Sequence, residues 1–164
     1  MPLKQLSKDE LAYIAGIFDG EGCINFQCIR GSYYIRVLIT NTNRDLLEYI
    51  QSIFGGDIKK MSRKSGWKQS YVWRLSWSKA IEFLSLIEPW LRVKEDQAHI
   101  AFCWDHFRPG RGQGPIQKEK RKEANDVSKY LRECLTFFNK RGTHNLEDPV
   151  QRELDRMEDS YAIN

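Results

Sequence analysis

No apolar run in the 164-residue sequence reaches the roughly 20 residues that a helical bilayer crossing needs. The opening, Met1-Pro-Leu-Lys-Gln, has no apolar centre of the kind a secretory signal carries. The expectation is an intracellular protein without a membrane partner. Cysteine is sparse. Cys23, Cys28, Cys103 and Cys134 include no C-x-x-C pair, and His99, His106 and His144 fall at no zinc-finger spacing. A structural zinc site and a disulfide framework are therefore not expected, and the cysteines read as reduced and partly buried. No internal repeat is present, and no motif calls for an organic cofactor.

What is present is positive charge, unevenly spread. The net charge is +4, yet residues 145–164 set six acids (Glu147, Asp148, Glu153, Asp155, Glu158, Asp159) against Arg152 and Arg156. The rest of the chain is thus more basic than the total suggests, which favours an anionic partner. A hydrophobic content of 41% over this length fits one globular domain.

The chain is organised around the stretch from Leu11 to Ile24. Ser7-Lys-Asp-Glu10 has the form of a capping box and predicts a helix start near Lys8. Ala12, Ala15, Gly16 and Asp19 follow at i, i+3, i+4 and i+7. They form one helix face with small side chains, against which a second helix can approach closely. Gly20 and Gly22 are expected to release the chain from helical geometry and to leave Glu21 exposed.

Alternation then predicts a hairpin. Ile24, Phe26 and Cys28 share one face of the first strand, and Ile35, Val37 and Ile39 share one face of the second. Asn25, Gln27, Ile29, Tyr34 and Arg36 face away. A short helix opens at Asn43 or Arg44 and stops at Gly55-Gly56. A lysine-bearing strand is expected over Asp57–Ser62. A basic connection follows, and then a strand over Gln69–Trp77, with Tyr71, Trp73, Leu75 and Trp77 on one face. Ser78 is expected to cap a helix that Pro89 disturbs. Another helix runs from Glu95 to Phe107, with Ala98, Ala101, Phe102 and Phe107 inside. A Gly/Pro/Arg loop spans 108–117, and helices follow over 118–164.

The nonapeptide Ile14-Ala15-Gly16-Ile17-Phe18-Asp19-Gly20-Glu21-Gly22 resembles the signature of the LAGLIDADG homing endonucleases. It matches at the Ala-Gly, Asp-Gly and final acid-Gly pairs. Ile stands for the first Leu and Glu for the second Asp. The resemblance covers residues 8 to 100. It implies an α+β, αββαββα fold over 1–107, with a four-stranded antiparallel saddle that binds DNA and additional C-terminal helices, all in one domain. It also implies a site-specific double-strand DNA endonuclease that hydrolyses phosphodiester bonds in a long, pseudo-palindromic target. The alternative is a non-cleaving intron maturase, or another RNA- or DNA-binding protein of the same fold.

Residue roles follow from the resemblance. Glu21, with the carbonyl of Gly20, is expected to hold Mg²⁺, and Ca²⁺ or Mn²⁺ can substitute in binding. Pro89-Trp-Leu-Arg-Val-Lys94 looks like the segment that carries a catalytic lysine, which makes Lys94 the candidate for activating water. Asn41, with Asn43 as its rival, matches a polar residue of the water network. The motif occurs once, whereas cutting two strands needs two centres. A homodimer meeting along Ala12, Ala15, Gly16 and Asp19 supplies the second. DNA contacts are expected from Asn25, Gln27, Ile29, Tyr34, Arg36, Lys60, Ser62, Ser70 and Arg74 on the strands. Arg30, Ser32, Arg63, Lys64, Lys68 and Gln69 are expected to join them from the turns. A chain with no splicing segment fits an intron-encoded protein, placed in cytoplasm, nucleoid or organelle.

Overall fold

The Ser7 hydroxyl accepts the Glu10 amide at 3.2 Å while the Glu10 carboxylate takes the Ser7 amide at 2.9 Å, so helix α1 (Lys8–Glu21) starts at the expected capping box. The structure is a computed structural model that describes residues 6–30, 32–62, 64–107 and 115–139. Strands β1 (Gly22–Ile29) and β2 (Ser32–Asn41) follow directly. Ile29 pairs with Ser32, and Arg30 adopts a φ of 49° in the tight connection.

Asn43 caps helix α2 (Arg44–Phe54) by accepting the Leu46 amide at 3.2 Å. Gly55 and Gly56, at φ 72° and 87°, end it. Strands β3 (Asp57–Lys60) and β4 (Tyr71–Ser76) complete an antiparallel sheet in the order β1-β2-β4-β3. Both are shorter than expected. Helix α3 (Ser78–Ile87) runs into a 3₁₀ turn over Glu88–Trp90, where Pro89 sits. Helices α4 (Glu95–Phe107) and α5 (Pro115–Phe138) close the described chain. Helix α5 begins inside the stretch expected to be loop, and the part of the expected helical stretch beyond residue 139 lies outside the described residues.

One face of the sheet carries the core: Ile24 and Phe26, then Ile35, Val37 and Ile39, then Trp73 and Leu75, all at 7% exposure or less. The helices cover this face. Phe83 of α3 is the hub, with ring centroids 5.3 Å from Phe18, 4.9 Å from Phe54 and 5.2 Å from Trp73. The Trp73 indole donates to the Gly55 carbonyl at 2.8 Å. These contacts fix the last turn of α1 against α2, α3 and the sheet.

Two core expectations are corrected. Phe107 is exposed at the end of α4, and Trp104, one turn back, is buried and packs edge-on against Phe26. Ser78 is the first helical residue of α3 and not its cap. That place belongs to Trp77, which makes no capping bond with its side chain. Among the described residues, no helix is long and apolar enough to cross a membrane.

Candidate active site

Gly22 ends α1 for a reason different from the one expected. Its φ of −81° is open to any residue. A Cβ there, however, would collide with the carbonyl oxygen and the ring of Phe18. Glycine lets β1 leave directly under the helix, and this turns Glu21 outward. Glu21 is exposed and makes no hydrogen bond or ion pair among the described residues. The last carbonyls of the helix have no intrahelical N–H to meet, so the negative end of the dipole also lies here.

No basic side chain stands in the last turn of α1. Lys94 supplies one from the α3–α4 connection, its ammonium donating to the Asp19 carbonyl. Asp19 answers with its carboxylate, which accepts the Arg92 amide at 2.8 Å and the Lys94 amide at 3.1 Å. Helix end and connection are thus clamped reciprocally. The ammonium keeps two further donors beyond the Asp19 contact. The charge of Lys94 also reaches Cys23, whose thiol burial pushes above its usual range while Lys94 and a hydrogen bond with Asn25 pull it back.

Asp19 is therefore an internal tie between the end of α1 and the α3–α4 connection. Asp19→Ala leaves both amides without their acceptor. The expected loss is about 2 kcal/mol of stability, read as a lower denaturant midpoint with an unchanged slope.

Asn41 ends β2 two residues beyond Ile39, the partner of Gly22, so it lies at the same end of the sheet as Glu21. Its side-chain oxygen accepts the Asn43 amide at 2.8 Å, and its Nδ2 has no partner among the described residues. Asn43 caps α2 through its own side-chain oxygen, so among the described residues each of the two asparagines keeps an unpartnered Nδ2.

The sheet face opposite the core forms a polar ladder. Asn25, Arg36 and Ser76 stand abreast across three strands, and Cys23, Leu38, Arg74 and Asp57 form the next row. Gln27 donates to Asn25 at 3.1 Å, Arg36 to Ser76 at 3.2 Å, and Arg74 to Asp57 at 2.7 Å. Ile29, Arg30 and Ser32 are exposed at the hairpin end. Lys64 and Lys68 are exposed in the β3–β4 connection beside Trp67, and Gln69 ties that connection to the Met61 and Ser70 carbonyls at 2.8 Å.

Four contact expectations change. Lys60 shares its face with Ile58 and Tyr71, on the helix side, whereas Lys59 points outward. Alternation counted from Ile58 carries that signal. Ser62 lies past the end of β3. Ser70 and Tyr34 are buried, at 1% and 2% exposure, so neither offers a free edge. Arg63 lies outside the described residues.

Neither a scan of protein-family models nor a search of curated proteins gives a match. Solved structures do. The homing endonuclease I-CvuI, in complex with an I-CreI target in the presence of Mg and with the DNA not cleaved, is 19% identical. It superposes with a TM-score of 0.65 over 85% of this chain and 87% of its own. An archaeal intron-encoded homing endonuclease, I-Vdi141I, complexed with DNA, is 20% identical, with a TM-score of 0.62 over 96% of this chain and 100% of its own. I-SmaMI, a LAGLIDADG homing endonuclease bound to uncleaved DNA in the presence of calcium ions, matches 92% of this chain with only 49% of its own length at a TM-score of 0.57.

This chain has the LAGLIDADG homing endonuclease fold.

The LAGLIDADG helix is α1, and its exposed face differs from the one expected. Ala15 is fully buried in the chain's own core and cannot meet a second copy. The side left open carries Ala12, Tyr13, Gly16, Ile17 and Gly20. Gly16 and Gly20 have empty space where a Cβ would sit, and neither takes a positive φ. Glycine inside a helix costs about 0.5–1 kcal/mol relative to alanine. Among the described residues nothing accounts for that cost at either position.

A second acidic group lies elsewhere in this LAGLIDADG fold. Glu88, Glu95 and His99 have ligand atoms within 4.8 Å of one another, and His99 is 3.2 Å from the Glu88 carboxylate. This pairing satisfies His99, which is a surface residue of α4.

Proposed function

We propose that this chain is a site-specific, metal-dependent DNA endonuclease, active as a homodimer in which two α1 helices meet along Ala12, Gly16 and Gly20. The observation that carries this reading is Glu21, a carboxylate without a partner among the described residues, at the end of a helix whose open side carries Ala12, Gly16 and Gly20. Two such helices crossing at the two-fold axis bring two Glu21 side chains close to each other.

The donors fit a hard divalent cation. A carboxylate and the Gly20 carbonyl are oxygen ligands of the kind Mg²⁺ and Ca²⁺ take. One chain offers only a single carboxylate, and a second copy brings the number to two. When bound, the cation neutralises phosphate charge and makes water a nucleophile near neutral pH. Lys94, held on α1 by its bond to Asp19, places positive charge beside the phosphate being cut. Asn41 offers its free amide donor to the attacking water.

The outer sheet face supplies recognition. Arg36 and Arg74, already braced by neighbours, present guanidinium donors suited to guanine edges, and Asn25 and Gln27 suit adenine. Lys59, Lys64 and Lys68 meet phosphates and give affinity that falls with salt. The half-length match to I-SmaMI agrees with two copies making one working unit. The reading includes an intracellular location and an intron-encoded origin, the latter in keeping with the intron-encoded I-Vdi141I.

A plasmid library carrying randomised palindromic sites tests it. With Mg²⁺, the protein is expected to linearise a defined subset of plasmids. Magnesium-independent binding to structured RNA, with no cut DNA, would replace the nuclease by the maturase reading.

A further inference from the structure

Trp77 is the one large aromatic among the described residues held at a positive φ, 63°. For a bulky side chain this is a rare and costly backbone state. Its effect is directional. Ser76 lies opposite Arg36 on the outer face, so simple alternation would send Trp77 to the helix side. The positive φ returns the indole to the outer face, where it stacks on Tyr34 at 4.4 Å between centroids and 10° between planes. Tyr34 is thereby buried, and Trp77 stays 47% exposed.

The stack also holds a neighbour. The Tyr34 hydroxyl accepts Arg36 Nη2 at 2.7 Å, and Ser76 accepts Arg36 Nε at 3.2 Å. Two of the five guanidinium N–H groups are used, and the others are free to donate. A fixed guanidinium and a solvent-facing indole therefore stand side by side on the sheet face proposed to read base edges in the DNA major groove. The first suits a guanine edge. The second has no hydrogen bond to offer across its ring face and suits the one apolar feature of that groove, the thymine C5-methyl.

We propose that Trp77 is a specificity-determining residue that reads a thymine methyl next to the guanine read by Arg36. This rests on the nuclease reading of the sheet. The test is a binding selection from a randomised half-site library in Ca²⁺, with wild type and Trp77→Gly. Glycine removes the ring and relieves the positive φ, so the variant is expected to unfold at a temperature no lower than Trp77→Ala does. Wild type should enrich thymine at one position per half-site, adjacent to a guanine whose enrichment depends on Arg36. In Trp77→Gly the thymine preference should vanish and the adjacent guanine preference, whose Arg36 is braced through Tyr34, should weaken, while the rest of the profile survives. Replacing that thymine by deoxyuridine in one half-site should weaken wild-type binding about fourfold, the factor expected for one methyl group, and leave the variant unchanged. An unchanged profile in Trp77→Gly would overturn this inference alone. A wild-type protein that enriches no duplex would overturn it together with the nuclease reading.

Discussion

Glu21→Gln is expected to lower Mg²⁺-dependent cleavage by roughly 10³-fold or more and to leave specific DNA binding intact. The change is nearly isosteric. Glu21 is exposed and makes no bond among the described residues, so the fold loses nothing when its charge is removed. What is lost is the anionic ligand for the cation. Removing two negative charges from a surface that faces phosphate should, if anything, tighten binding in Ca²⁺. The measurement is single-turnover cleavage beside a binding isotherm on the same duplex. A parallel loss of binding would show that Glu21 supports the fold and not the reaction.

Gly16→Glu is expected to separate stability from assembly. Within one chain the substitution meets open space and replaces the poorer helix former, so the isolated fold should gain about 0.5–1 kcal/mol. At a two-fold axis the same change puts two carboxylates face to face between helices that need close approach. Like charges so placed cost several kcal/mol, which weakens dimerisation by at least about a hundredfold. Sedimentation should report a monomer where wild type is a dimer, and double-strand cutting should fall with it. A stable, dimeric and active Gly16→Glu protein would place the contact elsewhere.

Local chemistry made much of this fold legible. The Ser7–Glu10 box, the Asn43 cap and the Gly55-Gly56 stop depend on neighbours in sequence, and each stands where the pattern places it. The core faces of β1 and β2 follow from alternation in the same way. The errors arise where long-range packing decides. Ala15 and Gly16 are adjacent and both small, and only the position of the sheet and of α3 determines which faces the core. The use of Asp19 by the α3–α4 connection likewise depends on the fold and is not visible in the sequence. Trp77 breaks alternation through a backbone state that no neighbouring residue announces. Lys60 is a different kind of miss, since alternation from Ile58 already assigns Lys59 to the outer face. Of the proposed centre, Glu21 was legible from its flanking glycines, whereas the tie between Lys94 and the helix end required the fold.

The most direct test of two acids acting from two copies is a mixed dimer, one wild-type subunit joined to one Glu21→Gln subunit, incubated with supercoiled plasmid carrying the selected site. The expected product is nicked circle, because one subunit retains its carboxylate and cuts one strand. Linear plasmid formed at the wild-type rate would contradict the account, since a single Glu21 would then suffice for both strands.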